Sequence, residues 1–176
     1  MSDIPGKLIN GVFNRVLAED VTPALVETLK PLGLDLSAPL HAHYPRQTWY
    51  RALEATAQAL YPGKPPPEQL RALGRHIIDV LQRRGIVKGA WVSMARLMGP
   101  RRSLKQAADY LGHSPVKVGI SERSKTEFEI TVDATEQSDF FVGLLEATIG
   151  MLGGKHAHVE PVGPAGEAHV FHASWR

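Results

Sequence analysis

The hydrophobic period of this chain changes at Pro115, and the change decides which kind of fold is open to it. Before Pro115 apolar residues recur at helical spacing; after it, two pairs of segments alternate residue by residue. Val116, Val118 and Ile120 alternate, as do Phe128, Ile130 and Val132, with the polar turn 121–125 between them. Residues 157–162 and 168–175 alternate in the same way around 161–166. Each pair predicts a hairpin. Between the hairpins lies SDFFVGLLEATIGMLGG, residues 138–154, with a Ser138 N-cap, Asp139 in the first turn and Gly153-Gly154 as a stop. Phe141, Leu144, Leu145, Thr148 and Leu152 form one wide apolar arc of this helix, and Gly143, Ala147, Gly150 and Gly154 form a bare face. A bare face admits either a neighbouring backbone or a flat ligand.

The first part of the chain reads as helices. Ile4, Leu8, Ile9, Val12, Phe13, Val16 and Leu17 predict an amphipathic helix ending near Glu19. Thr22-Pro23 opens a second helix that Pro31 and Gly33 stop, and 32–43 is an irregular connection. Tyr44-Pro45 starts a third, with Trp49, Leu53, Thr56, Ala57 and Leu60 on one face. A rigid turn over 61–67 leads to a fourth, with Leu70, Leu73, Ile77, Ile78 and Leu81 inward. A short fifth spans 90–98, and the capping box Ser103–Gln106 opens a sixth that Gly112 closes. The expected fold is α+β: a single domain of two lobes, with a helical lobe of about six helices over 1–112 and an antiparallel ββαββ lobe over 113–176.

Composition narrows the chemistry. There are no cysteines, which excludes disulfides, thiolate nucleophiles, iron–sulfur clusters and cysteine zinc sites. A formal charge of +2 is too mild to imply a polyanionic partner by itself. No run approaches the ~18 apolar residues of a membrane helix, and no secretory signal is visible, so a cytoplasmic protein without a membrane partner is expected. No GxSxG, P-loop, GxGxxG or HExxH is present, which favours a non-enzymatic role.

Five segments, GVFNRVL, HYPRQTWYRAL, LYPG, EQLRALGRHI and FFVGLLEATIGMLG, resemble those of an uncharacterised family of paralogues multiplied in myxobacteria, over roughly residues 11–152. The order of elements is also similar to the haem nitric oxide/oxygen-binding (H-NOX) domain and the 4-vinyl reductase-like domains. LRALGRHIIDVL after an LYPG turn and VGLLEATIGMLGG between hairpins carry that likeness. It implies a helical lobe before an antiparallel sheet, with a small ligand or haem held between them. It further implies a Tyr-x-Ser-x-Arg clamp for haem carboxylates near 130–135, where this chain reads ITVDAT and Asp133 would repel them. The proximal histidine is implied late in the helix before the first strand, and His113 stands just past that place. Haem is disfavoured by these residues.

Trp49, Trp91, Tyr110, His113, Gly143, Ala147 and Gly150 are the candidate ligand-binding residues. The aromatics among them also suit plain core, and His113 suits a helix C-terminus, where it meets the dipole. Arg83, Arg84, Lys88, Arg96, Arg101, Arg102 and Lys105 run without an acid until Asp109, as a partner- or anion-binding patch or a solvated surface. His41/His43 and His156/His158 are His-x-His pairs that His169 or His172 could join, but no carboxylate is spaced to complete a zinc set, and no metal is expected. SLKQAADYLGHSPVKV mimics a helix-turn-helix, although VKVGIS reads as a strand. Three functions stand. The first is a sensory or regulatory module that binds a small apolar or planar ligand between the lobes and signals to a protein partner. The second is a protein-interaction adaptor using the basic 83–105 patch, and the third is DNA binding around 103–120.

Overall fold

The computed structural model describes residues 3–86, 89–111, 117–133, 137–165 and 168–176, without the side chains of 89–91, 107–111 and 165. Strand β1 (Ile4–Pro5) pairs antiparallel with β2 (His43–Tyr44). Between them come α1 (Gly6–Asn10), a π-helical turn (Gly11–Val16), α2 (Pro23–Leu29) and a 3-10 turn (Lys30–Leu32). Then follow α3 (Arg46–Leu60), α4 (Pro66–Arg83) and α5 (Gly89–Leu111). The second half holds β3 (Val118–Ser124), β4 (Glu127–Val132), α6 (Ser138–Met151), β5 (His158–Ala165) and β6 (Ala168–Ser174). These four strands form one antiparallel sheet in the order β3-β4-β6-β5, so both expected hairpins form and their inner strands pair at the centre.

Local chemistry explains most boundaries. Thr22 caps α2, its hydroxyl accepting from the Leu25 N–H at 3.2 Å, with Pro23 at the first helical position. The single helix expected over 4–19 is instead β1, α1 and the π-helical turn. Pro5 biases Ile4 toward extended backbone, and Gly6 lies so close to the 41–42 segment that a Cβ there would stand 1.9 Å from the His41 carbonyl oxygen. The fifth and sixth helices run on as α5, broken at Gly99 (φ 76) before Pro100. Proline cannot donate to the preceding turn, so the second half of α5 starts there rather than at Ser103. Ser103 is buried, and its hydroxyl donates to the Ala95 carbonyl across the break at 3.0 Å. At α6 the cap position falls to Gln137, with no side-chain capping bond, rather than to Ser138.

Two hydrophobic cores result. One gathers Ile9, Phe13, Leu17, Leu29, Trp49, Leu53 and Leu73 with Phe140 from α6. The other gathers Phe128, Ile130, Phe171 and Ala173 of the sheet with Val142, Ile149 and Leu152, and takes Val92, Ala95 and Leu104 from α5. By packing, then, α5 goes with the sheet. Helix α6 belongs to both cores: Phe141 and Leu144 touch each of them. The fully buried positions of α6 are Phe140, Val142, Gly143, Ile149 and Met151, while Phe141, Leu144, Leu145 and Thr148 are half-buried. The helix is covered on opposite sides, so its deepest residues do not follow a single arc.

Part of the bare face of α6 meets α4. A Cβ on Gly143 would lie 2.0 Å from the Arg71 carbonyl oxygen, and one on Gly74 would lie 2.2 Å from the Phe140 carbonyl oxygen. The two glycines let the helix backbones touch at their crossing. Arg71–Asp139 (3.6 Å) and Arg75–Glu146 (2.5 Å) bridge the same pair of helices. Gly150 has open space around it. Gly143→Ala forces α4 and α6 apart and should cost about 3 kcal/mol, whereas Gly150→Ala should gain about 0.5 kcal/mol from helix propensity. Urea denaturation of the two variants beside the parent checks the contrast.

Candidate functional site

The corner where β4 gives way to α6 joins the sheet to α3. On β6, His169 stands opposite Val132, the last residue of β4, and shares strand parity with the buried Phe171 and Ala173. It therefore lies on the inner face of the sheet. Its ring centroid is 6.4 Å from that of Phe171; Phe171 is 6.3 Å from Phe141, and Phe141 is 5.4 Å from Phe140. This row of rings runs from the sheet to the start of α6. The Nδ1 atom of His169 is buried and has no hydrogen-bond partner.

Gln137 stands immediately ahead of α6. Only 3% of it is exposed. Its amide nitrogen donates to the Tyr50 carbonyl at 2.7 Å and to the Glu54 carboxylate at 3.3 Å, both on α3. The nitrogen is committed to two acceptors, while the amide oxygen is buried and unpartnered. A buried polar atom left unsatisfied costs about 1–3 kcal/mol, and a ligand or water that completes the hydrogen bond recovers that cost. Asp133 closes β4: its N–H donates to the Lys117 carbonyl at 3.0 Å, and its carboxylate lies 3.9 Å from the Arg46 guanidinium.

The expected ligand residues are distributed differently. Trp49 is buried in the helical core, edge-on to Phe13 at 6.2 Å. The Arg71 backbone fills the space in front of Gly143, Ala147 packs against the sheet core, and Gly150 is exposed. His113 and the side chains of Trp91 and Tyr110 lie outside the described residues. Gln137 gives no sequence signal, because a polar residue ahead of a helix is commonplace. His169 gives one, its odd-number parity with Phe171, Ala173 and Trp175.

The described cations of the basic run are all exposed, and four of them also hold neighbouring elements. Arg84 pairs with Glu19 and donates to the Arg15 carbonyl at 2.9 Å. Arg96 donates to the Met151 carbonyl at 2.9 Å, satisfying an acceptor at the end of α6. Arg101 (2.6 Å) and Lys105 both grip Glu122, tying α5 to β3. Lys88 lies outside the described residues. Residues 118–124 form β3, a strand where a DNA-recognition helix would have to continue, and the intervening 112–116 lie outside the described residues. No described helix is long and apolar enough to cross a membrane.

This chain belongs to DUF2378, a protein family of unknown function, whose profile matches residues 3–176. No curated protein matches it by sequence. Among solved structures it is similar to H-NOX domains. An oxygen-binding H-NOX domain related to soluble guanylate cyclases, solved as its oxygen complex, superposes with a TM-score of 0.60 at 17% identity, covering 98% of this chain and 95% of that one. An H-NOX point mutant from T. tengcongensis gives 0.60 at 16%, covering 98% of each chain. An Fe(II) unliganded H-NOX mutant from K. algicida gives 0.62 at 10%, covering 98% and 97%. At these identities the likeness establishes the fold. The described part of the expected clamp does not fit haem: Ile130 and Val132 of β4 are buried in the sheet core, and Asp133 sets a carboxylate where a cation would be needed.

Hydrogen bonds from Lys105 and then Arg101 hold the Glu122 carboxyl below the ordinary carboxylate range. A depressed acid stabilises the fold above its unfolded-state pKa and loses that contribution as pH falls through the folded-state value. Parent and Glu122→Gln melting temperatures should therefore differ at neutral pH and converge in acid, below the ordinary carboxylate range. A pH series of thermal melts measures this.

Proposed function

We propose that this protein is a non-enzymatic sensory or regulatory module, which binds a small apolar or planar ligand between its helical and sheet lobes and signals to a protein partner. The observation that carries the reading is that two polar atoms are buried and unpartnered, Gln137 Oε1 at the start of α6 and His169 Nδ1 opposite the end of β4. A ligand whose body lies along the Phe140, Phe141 and Phe171 rings and whose edge offers a hydrogen to Gln137 suits that corner. The fold supports the reading by likeness, since one of the H-NOX domains it resembles is described as oxygen-binding. Trp91, Tyr110 and His113 remain candidates for the same seam on sequence grounds.

Transmission follows from the packing. Because α6 contributes to both cores, a ligand that moves its first turn loads both lobes. Helix α5 rests on the sheet core through Val92, Ala95 and Leu104 while Leu97 stands 90% exposed, which offers a partner an apolar contact.

Native mass spectrometry of the purified protein should show a bound small organic molecule, and its visible spectrum should lack a Soret band. Gln137→Leu and His169→Phe, checked as folded by circular dichroism, should each weaken binding about tenfold, the value of one hydrogen bond. A protein isolated empty, with a melting temperature unmoved by a set of planar heteroaromatic fragments, would overturn the proposal. A Soret band would replace the proposed ligand with haem.

A further inference from the structure

In the helical lobe an open cleft of about 690 Å³ is lined by residues of the first helical turns and of the 38–43 segment. Backbone bonds hold these two stretches together. The Gly6 N–H donates to the Ala42 carbonyl at 2.8 Å, and the β1–β2 register sets Pro5 opposite His43. The Tyr44 hydroxyl accepts the His41 N–H at 3.0 Å, and the two rings lie 5.5 Å apart. The cleft is therefore built before any ligand arrives, which lowers the ordering cost of binding. Neither Gln137 nor His169 lines it.

The chemistry of the lining is one-sided. Lys7, Asn10 and Asn14, spaced three and four apart, line the cleft together with His41 and His43, the His-x-His pair of the helical lobe. All five are exposed, so a ligand can reach them. No carboxylate is among the lining residues, and among the described residues Lys7, His41 and His43 make no ion pair. The Asn14 amide nitrogen donates to Asn10 Oδ1 at 2.8 Å, which occupies the Asn10 acceptor and leaves the Asn10 amide nitrogen to donate. An ammonium, an amide N–H₂ and two imidazoles with no opposing acid give a donor-rich, electropositive lining. Pro39 and Leu40 add apolar surface. The volume lies within the roughly 300–1,000 Å³ of small-molecule pockets, which combine an apolar lining with a few polar groups in this way.

We propose that this cleft binds a small organic anion, a carboxylate or a phosphate monoester, with Lys7, His41 and His43 holding the anionic group and Pro39 and Leu40 meeting the apolar body. A cationic ligand would meet the Lys7 ammonium with no lining acid to offset it, and a neutral one would leave that charge unused. An anion accepts charge-assisted hydrogen bonds, which are about twice as strong as neutral ones. The site is separate from the ligand proposed at the β4–α6 corner and does not depend on it.

The test titrates the full-length protein with phenyl phosphate, benzoate, inorganic phosphate and benzyl alcohol by isothermal calorimetry, in a buffer free of other polyvalent anions. One phenyl phosphate or one benzoate per chain is expected, with a rise in melting temperature on saturation, and the tighter of the two identifies the anionic group. Inorganic phosphate, which lacks the body, should bind more weakly, and benzyl alcohol, which lacks the charge, should not bind. Lys7→Gln and His43→Gln, each confirmed as folded by circular dichroism, should weaken binding about tenfold or more, the value of a hydrogen bond to a charged group. Lys125→Gln, in the β3–β4 turn, removes the same charge elsewhere and should bind as the parent does. The proposal is overturned if neither organic anion binds, if binding survives both Lys7→Gln and His43→Gln, or if Lys125→Gln weakens it as much. Inorganic phosphate bound as tightly as phenyl phosphate would overturn the role of the apolar body.

Discussion

The backbone contact between α4 and α6 at Gly74 and Gly143 is the constraint on which the rest of the structure depends. Each glycine sits where the partner helix puts a carbonyl oxygen, and any side chain at either place would enter that backbone. Close approach brings the flanking residues into use: Arg71 reaches Asp139, and Arg75 reaches Glu146, whose other oxygen accepts the Val159 N–H at 3.3 Å. One carboxylate thus links α4, α6 and the first residues of β5. The contact also explains how one helix serves two cores, because α6 lies close enough to α4 to place Phe140 among the helical residues while Val142 faces the sheet.

The ligand corner is a consequence of that geometry. With α6 pinned at Gly143, its start is fixed near α3, where Gln137 spends its amide nitrogen on Tyr50 and Glu54. The oxygen is left buried and unpartnered, and the β4–β6 pairing sets His169, whose Nδ1 is also buried and unpartnered, opposite the end of β4. Meanwhile four cations of the basic run serve the fold itself. Arg84, Arg96, Arg101 and Lys105 tie helices to neighbouring elements, three of them through the carboxylates of Glu19 and Glu122.

Sequence periodicity carried most of the fold because each element here has its own local signature. The alternation at Phe128, Ile130 and Val132 and at Phe171 and Ala173 made strands legible, and Thr22-Pro23 made the start of α2 legible. Local signals failed where a distant backbone intervened. The first helix is interrupted because Gly6 abuts the 41–42 segment, and Ser103 gives up its capping role because Ala95 offers an acceptor across the Gly99-Pro100 break. The site was less legible than the fold. Trp49 has the spacing of a core residue and is one, whereas Gln137 matters only through its neighbours on α3.

By itself the sequence determined the α+β class, the two hairpins and the helix between them, because hydrophobic period and turn residues are properties of short stretches. It determined too that α6 would carry a face without bulk. Only the tertiary structure decided what that face meets and which polar atoms are left buried and unpartnered. Those outcomes depend on register and helix crossing, which join residues far apart in the chain. For this protein one glycine of that face, Gly143, became a backbone contact, while Gly150 stayed open.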